Sequence, residues 1–300
     1  MKTGIKLKIA GLIVSMQGDC ELRLKSKPKI EGLTGYQPPH YFYEGNGQPH
    51  IYIDVKAARR RPAVRGVESL FITRRFESGD EDWRWGKKDH SYIYRARRQV
   101  AFVNEACDRA TAHVVSKGKI PQWTVGEVVC NFLQVLLINY MAQRDIGIIA
   151  HAAALRDAIC GGVIFAGKSQ SGKSTTARIW RENSGAKILN DDRVIVRREG
   201  GGYRMHNSPW RGSYNDYPML RMSAPIDKVF FIHPARKNTV RRPAPGESFN
   251  MLFPAIFPPF WDKCGLEKTV SFCHELVERL PCYRLGFVKD KRVIEFVRRV

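Results

Sequence analysis

The sequence has few acidic residues and lacks the patterns of several protein classes. Its 300 residues include 29 Asp or Glu against 50 Lys or Arg, which gives a formal net charge of +21. The seven cysteines form no C-x-x-C pair, and no Cys/His spacing is typical of a zinc site. We therefore expect reduced, mostly buried thiols rather than a disulfide framework or a structural metal.

The sequence also lacks an apolar run long enough to cross a membrane. The best candidate, residues 128–141, is interrupted by Asn131, Gln134 and Asn139, so it predicts a buried helix. The capping-box spacing of Thr124 and Glu127 predicts that this helix begins after residue 124. The short apolar run after the N-terminal lysines has no small-residue cleavage site, which argues against a signal peptide. Internal repeats and low-complexity tracts are absent as well. We expect a cytoplasmic protein with no membrane partner.

The excess of basic residues favours anionic partners, which include nucleotides, acidic peptides and nucleic acid. It is densest in residues 56–62 and continues at the following positions: Arg65, Arg74, Arg75, Lys87 and Lys88. A solvated face is the simplest interpretation, docking of an acidic partner comes second, and nucleic acid is the least favoured.

The two parts of the chain have different patterns. Residues 1–118 contain short β-type runs separated by turn residues, at 5–14, 41–43, 51–55, 70–73 and 92–94. Residues 44–47 (EGNG) predict a hairpin turn between two of these runs. We predict a β-rich α+β accessory or substrate-recognition domain at 1–118. A boundary near residues 117–121 separates it from a nucleotide-binding α/β domain at 119–300.

The strongest motif is a phosphate-binding loop. Residues 167–174 read GKSQSGKS and fit G-x-x-x-x-G-K-[ST] at every fixed position. An apolar strand-like run precedes the loop at 162–166, and a helix-compatible segment follows it at 175–180. In a strand–loop–helix, backbone N–H groups and the positive end of the helix converge on one phosphate site. We predict nucleotide contacts from the following residues: Gly167, Ser169, Ser171, Gly172, Lys173, Ser174 and Thr175.

Two adjacent carboxylates follow the loop after a single helix. Asp191 and Asp192 come directly after the apolar run at 187–190, so a strand end presents acids beside the loop, as a Walker B segment does. A solvated Asp-Asp turn is the alternative interpretation. A histidine, His151, lies on the strand-like run at 148–155, before the loop.

Together these features resemble the HPr kinase/phosphorylase-like P-loop family, whose nucleotide fold is related to that of phosphoenolpyruvate carboxykinase. The sequence is more similar to a branch that accompanies peptide-modification cassettes, such as the SynChlorMet cassette protein ScmC and lasso-peptide kinases. This resemblance rests on HAAA at 151–154, NDD at 190–192, PWRG at 209–212 and PCYRL at 281–285. The loop departs from the Ser-Gly-x-Gly-Lys-Ser-Glu usual in HPr kinases, so the substrate stays open.

Phosphoryl transfer needs charge neutralisation, alignment and a base for the attacking hydroxyl, and we assign predicted roles accordingly. Lys173 supplies charge, and Ser174 with Asp191 holds Mg²⁺. Asp192 is the base, although the two aspartates are open to exchange, and His151 stabilises the phosphoryl group or supports the base. Arg193 and Arg211 are candidate phosphate clamps.

We therefore predict an ATP- and Mg²⁺-dependent kinase acting on a Ser or Thr hydroxyl of a peptide or small protein, with a ribosomally made peptide favoured. The fold class is α/β, with an HPr kinase-like P-loop domain. Two alternatives stay open: a nucleotide-binding partner protein that transfers no phosphate, and a basic nucleic-acid-binding NTPase. The choice between ATP and GTP and the formation of a homo-oligomer are also open.

Overall fold

A computed structural model describes residues 3–19, 21–22, 42–74, 81–116, 122–210, 212, 214, 217–218 and 221–300. The predicted phosphate clamp Arg211, the boundary segment 117–121, Arg75, Tyr41 and Cys20 lie outside these residues. The chain is mixed α/β and forms two compact units, Met1–Tyr140 and Met141–Val300. The predicted division after residue 118 stays a prediction.

The first unit contains an eight-stranded sheet with the order β1-β2-β4-β9-β8-β7-β6-β5, and a two-stranded pair of β10 with β3. Strand β4 runs parallel to both β2 and β9, and the other neighbours in the large sheet are antiparallel. The strands are β1 (Thr3–Ile9), β2 (Leu12–Gly18), β3 (Glu21–Leu22), β4 (Ile51–Ala58), β5 (Glu68–Arg74), β6 (Glu81–Lys88), β7 (Ser91–Ala96), β8 (Gln99–Asn104), β9 (Arg109–Val115) and β10 (Gln122–Trp123).

Two sequence expectations for this unit are wrong. The run at 5–14 is not one strand, because Ala10 and Gly11 take positive φ values of 50° and 79° and turn the chain between β1 and β2. The segment 44–47 does not close a hairpin onto β4, because β4 pairs with β2 and β9 instead. Turn residues in a sequence indicate where the chain bends, but they do not indicate which strands will pair.

Helices α1 (Val125–Val129) and α2 (Phe132–Arg144) replace the single helix expected after residue 124. Thr124 caps α1, and its hydroxyl and the Glu127 side chain each accept the other's backbone N–H, which is the predicted capping box. The ring of Phe132 on α2 packs against Tyr94 of β7 at 5.2 Å. Among the described residues, no helix has the length and apolarity needed to cross a membrane.

The second unit is built on a nine-stranded sheet with the order β16-β15-β14-β11-β12-β17-β19-β18, in which β13 also pairs with β11. Strands β12, β17 and β19 are mutually parallel. The strands are β11 (Gly147–Asp157), β12 (Gly161–Ala166), β13 (Lys187–Asn190), β14 (Arg193–Glu199), β15 (Gly202–His206), β16 (Ser223–Pro225), β17 (Lys228–Pro234), β18 (Thr239–Arg241) and β19 (Cys282–Phe287).

Four helices and a short 3-10 turn, Phe253–Ala255, complete this unit: α3 (Lys173–Ser184), α4 (Pro245–Leu252), α5 (Lys263–Arg279) and α6 (Arg292–Arg298). Small side chains at Ala150, Ala152 and Ala154 belong to a core on one face of the sheet that also includes residues of α4 and α5. On the opposite face, Trp180 of α3 lies 6.1 Å from the ring of Phe165 on β12. This packing fixes α3 beside the end of β12.

Candidate active site

The predicted phosphate loop connects β12 to α3, as its flanks indicate. Gly167 is required by crowding, because a Cβ there would lie 2.6 Å from the Ser171 hydroxyl and 3.0 Å from the Ile232 carbonyl oxygen. Gly172 takes a φ of 102°, and a Cβ there would lie 2.6 Å from the ring of Phe287. The fixed glycines of the motif therefore match physical constraints on the turn.

The start of α3 is suited to an anion. Its N-cap is Gly172, which has no side chain, and its first turn carries no acidic residue. Backbone N–H groups at a helix start are not paired within the helix, and the helix dipole adds positive potential there. Phosphate is therefore a suitable ligand at this end.

Lys173 is only 5% exposed and lies under the loop. Its ammonium donates to the carbonyl oxygens of Gly167 at 3.0 Å and Lys168 at 2.9 Å. Burial lowers the pKa of Lys173, and this effect exceeds the opposing influence of Asp192. The lysine therefore lies on the loop that is predicted to bind the nucleotide phosphates.

The two aspartates form the connection between β13 and β14, and both of these strands pair with β11. The backbone N–H of Ala152 donates to the Asp192 carbonyl at 3.1 Å, which places the turn beside His151 on β11. Asp191 is 1% exposed, so the interpretation of a solvated Asp-Asp turn is wrong.

Asn190 fixes this turn, although the sequence reasoning gave it no role. Its side chain is fully buried, and its Oδ1 accepts from the backbone N–H groups of Asp192 at 2.8 Å and Arg193 at 2.9 Å. Its Nδ2 donates to the carbonyl oxygens of Ser208 at 3.3 Å and Trp210 at 2.9 Å. An Asn ahead of a turn is a known signal for this geometry, so the sequence did carry a hint.

Asp191 and Asp192 have different environments. The Asp191 carboxylate accepts from the backbone N–H groups of Gly212 and Tyr214 and from the Tyr217 hydroxyl, each at 3.0 Å. The Asp192 carboxylate lies 3.1 Å from His151 Nε2 and also pairs with the guanidinium of Arg193. Because an ionised carboxylate only accepts, this contact requires a proton on His151 Nε2.

Burial raises the pKa of Asp192, but other influences outweigh it and leave the pKa below its usual value. These influences are the hydrogen bond from His151 and the positive charges of Arg193 and Lys173. Asp192 is therefore ionised at neutral pH, which is the state needed to accept a proton.

Arg193, a candidate phosphate clamp, is already engaged. Besides pairing with Asp192, its guanidinium lies 4.3 Å from the ring centre of Phe257, whose backbone N–H donates to Ile149 of β11. Trp210, whose carbonyl oxygen accepts from the Asn190 amide, is 8% exposed.

One pocket of about 410 Å³ collects most of the predicted residues. The predicted residues that line it are His151, Ser169, Gly172, Lys173, Ser174, Thr175, Asp191 and Asp192. Gly167 and Ser171 belong to the loop but do not line the pocket. The pocket is also lined by Gln170, Gly212 and Lys289, which the sequence reasoning missed.

Lys289 reaches the pocket through tertiary structure alone. It follows β19, which pairs with β17, and β17 in turn pairs with β12 ahead of the loop. The backbone N–H of Val288 donates to Asn238 Oδ1 at 2.8 Å, which holds this connection. No local pattern in the sequence marks Lys289, because its position depends on the strand order.

Comparisons with known proteins are sparse. No family model matches the chain, and no curated protein matches it. Among solved structures, the chain is similar to the Hpr(Ser) kinase/phosphatase from Coxiella burnetii, with 14% identity and a TM-score of 0.24. The match covers 43% of this chain and 90% of that chain. We therefore argue the function from the residues of the pocket.

Proposed function

We propose that the protein is an ATP- and Mg²⁺-dependent kinase that transfers the γ-phosphate to a Ser or Thr hydroxyl of a peptide or small protein. One observation carries the proposal: Lys173 and the Asp192–His151 pair line the same pocket at the start of α3. In this proposal the second unit is an HPr kinase-like P-loop domain and the first unit is an accessory domain. The kind of acceptor, a ribosomally made peptide, comes from the motif resemblance.

Asp192 is the proposed general base. It accepts the proton of the acceptor hydroxyl as the hydroxyl oxygen bonds to the γ-phosphorus, and the bond from that phosphorus to the β–γ bridging oxygen breaks. His151 holds the Asp192 carboxylate through the 3.1 Å contact and lines the same pocket. Phosphoryl transfer depends mainly on such positioning and charge stabilisation.

The residues present fit a Mg²⁺ ion. Across the described residues no group of three or more His, Cys, Asp or Glu is placed to hold a metal alone. Mg²⁺ usually takes one or two carboxylates together with substrate phosphates and water, so a smaller set suffices. Ser174 and Asp191 both line the pocket, and a carboxylate has about four acceptor positions, of which donors among the described residues use three at Asp191. When bound, the ion would neutralise negative charge on the phosphates.

Lys289 is the proposed second phosphate contact. It is an exposed lysine that lines the same pocket as Lys173, whereas Arg193 is engaged with Asp192. A cation there attracts the terminal phosphate of the nucleotide. Arg211 stays a predicted contact.

The proposal is tested by mass spectrometry of a pool of Ser- and Thr-containing peptides incubated with ATP and Mg²⁺. We expect a phosphate gain on a hydroxyl, with formation of ADP, for the wild type. Lys173→Met should abolish this gain, and the matched control Lys168→Met should retain it. Lys168 is an exposed lysine of the same loop that does not line the pocket.

Two results would replace the proposal. If ATP binds and no peptide gains phosphate, the protein is better described as a nucleotide-binding partner protein. If ATP hydrolysis rises only on addition of single-stranded nucleic acid, the NTPase alternative is correct.

A further inference from the structure

One face of the first sheet is basic, and the proposed reaction does not use it. Strand registers place Lys56, His113, Val100, Arg95 and Arg84 in one row across β4, β9, β8, β7 and β6. Directly paired residues project to the same face of a sheet. With about 4.8 Å between strands, the row spans about 19 Å.

Four of the cations on this face are exposed, and the fifth, Arg84, is half-buried. Lys56 and Arg95 are exposed, and the same alternation places exposed Arg109 on β9 and exposed Lys88 on β6. With Arg84, this face carries five cations. The acidic residues on the same face of these strands are Asp54 and Asp82. The residues that alternate with these along the same strands project to the opposite face of the sheet. They are mostly apolar and buried, as Val55, Ala112 and Val103 illustrate.

The basic segment after β4 extends this face at one end. Arg59, Arg60 and Arg61 follow β4 and are all exposed. The guanidinium of Arg61 donates to the carbonyl oxygen of Ala96, at the end of β7, at 2.5 Å. Exposed arginines therefore continue from this face onto the segment that follows β4.

The aromatic side chains of the face decide between two anionic partners. The guanidinium of Arg109 lies 4.8 Å from the ring centre of Tyr52, and the His113 ring meets Phe102 edge-on at 5.7 Å. Single-stranded nucleic acid binds through bases stacked on open aromatic rings. Tyr52 is 39% exposed but already carries Arg109 over its ring, and Phe102 is half-buried. The described residues of this face therefore offer no row of open rings, and its recognition is by charge.

We propose that this basic face, defined by Lys56, Arg84, Lys88, Arg95 and Arg109, binds an acidic segment of a polypeptide. A row of about 19 Å matches about six residues of extended chain at about 3.3 Å per residue. The carboxylates of such a segment pair with Lys56 on one side of the buried Val100 and with Arg95 and Arg84 on the other. This binding does not depend on the proposed phosphoryl transfer.

The test is fluorescence anisotropy of a fluorescein-labelled hexa-aspartate peptide added to the full chain without nucleotide at low salt. We expect the Lys56→Glu/Arg95→Glu double variant to bind the peptide about tenfold more weakly or worse, since two close contacts are reversed in charge. The matched control is Arg178→Glu/Lys187→Glu, which changes the net charge equally at exposed positions of the second unit. It should bind within about threefold of the wild type, because it leaves the cations of this face in place.

Three results would overturn the inference. One is the absence of peptide binding by the wild type, and another is an equal loss in the two double variants. The third is tighter binding of a six-residue oligothymidylate with the same dependence on Lys56 and Arg95, which would assign the face to nucleic acid. Circular dichroism and ATP affinity establish that each variant is folded, and ATP affinity tests the phosphate loop separately from this face.

Discussion

Replacement of Asn190 by alanine tests whether one buried side chain organises the active site. Asn190 is fully buried and joins two segments that are distant in sequence. It accepts the N–H groups of Asp192 and Arg193, and it donates to carbonyl groups of Ser208 and Trp210. Alanine removes these four bonds, of which the two to the carbonyl groups are buried and the two from the N–H groups are part-buried.

A buried polar group left unpaired costs about 1–3 kcal/mol, and relaxation and water recover part of that cost. At about 1 kcal/mol for each of the four groups, Asn190→Ala should lower the free energy of unfolding by about 4 kcal/mol. That is a large share of the roughly 5–15 kcal/mol typical of a folded domain. Because the turn that carries Asp192 loosens, phosphate transfer should fall more than ATP affinity does.

The assay is urea unfolding followed by circular dichroism, combined with ATP titration and transfer rates at a temperature where the variant stays folded. Asn183→Ala is the matched control, because Asn183 is an exposed asparagine whose amide donates to the Ile179 carbonyl within α3. It should cost less than about 1 kcal/mol, as most surface changes do. A cost below about 1 kcal/mol for Asn190→Ala, with normal transfer, would refute the role assigned to Asn190.

Three further predictions concern the second unit. The bonds from Arg298 and neighbouring groups outweigh burial and lower the pKa of Asp157 to about 2, so Asp157→Asn should lose about 2 kcal/mol at pH 7. This difference should shrink as urea unfolding is repeated from about pH 4 toward pH 2, because the stabilisation is lost as the wild-type carboxyl protonates; a constant difference would contradict it. Gly172→Ala should lower stability by about 1–3 kcal/mol and weaken ATP binding, measured by calorimetry, because of its positive φ and its contact with Phe287; unchanged values would show that the turn adapts. Lys289→Met should weaken the binding of ATP about tenfold and the binding of ADP less, whereas Lys291→Met should change neither affinity. Equal losses of affinity for both nucleotides would exclude a contact to the terminal phosphate.

Features encoded by local pattern were predictable from the sequence. The phosphate loop was found because a turn that exposes backbone N–H groups requires glycine at fixed positions. Strands β11 and β12 were found because each contains a continuous apolar run. The capping box at Thr124 was found because it is a contact between residues three apart. Each of these features depends on a few neighbouring residues.

Features that depend on strand order were not predictable in the same way. The parallel pairing of β4 with β2 and β9 follows from long-range packing, and the turn residues at 44–47 indicated a hairpin instead. Lys289 reaches the pocket because β19 lies two strands from β12. The different environments of the two aspartates could not be predicted from the sequence either, because their partners come from segments about 20 to 40 residues away in sequence.

The central claim is that Asp192 acts as a base in a phosphate-transfer site, and one kinetic comparison tests it most directly. The transfer rate and the ATP affinity of Asp192→Asn are measured against the wild type and against Glu182→Gln, the same chemical change at an exposed position of α3. We predict a fall in transfer of about 100-fold or more with little change in ATP affinity, since a general base typically contributes about 10²–10⁴ in rate. Transfer by Asp192→Asn at the wild-type rate would contradict the account.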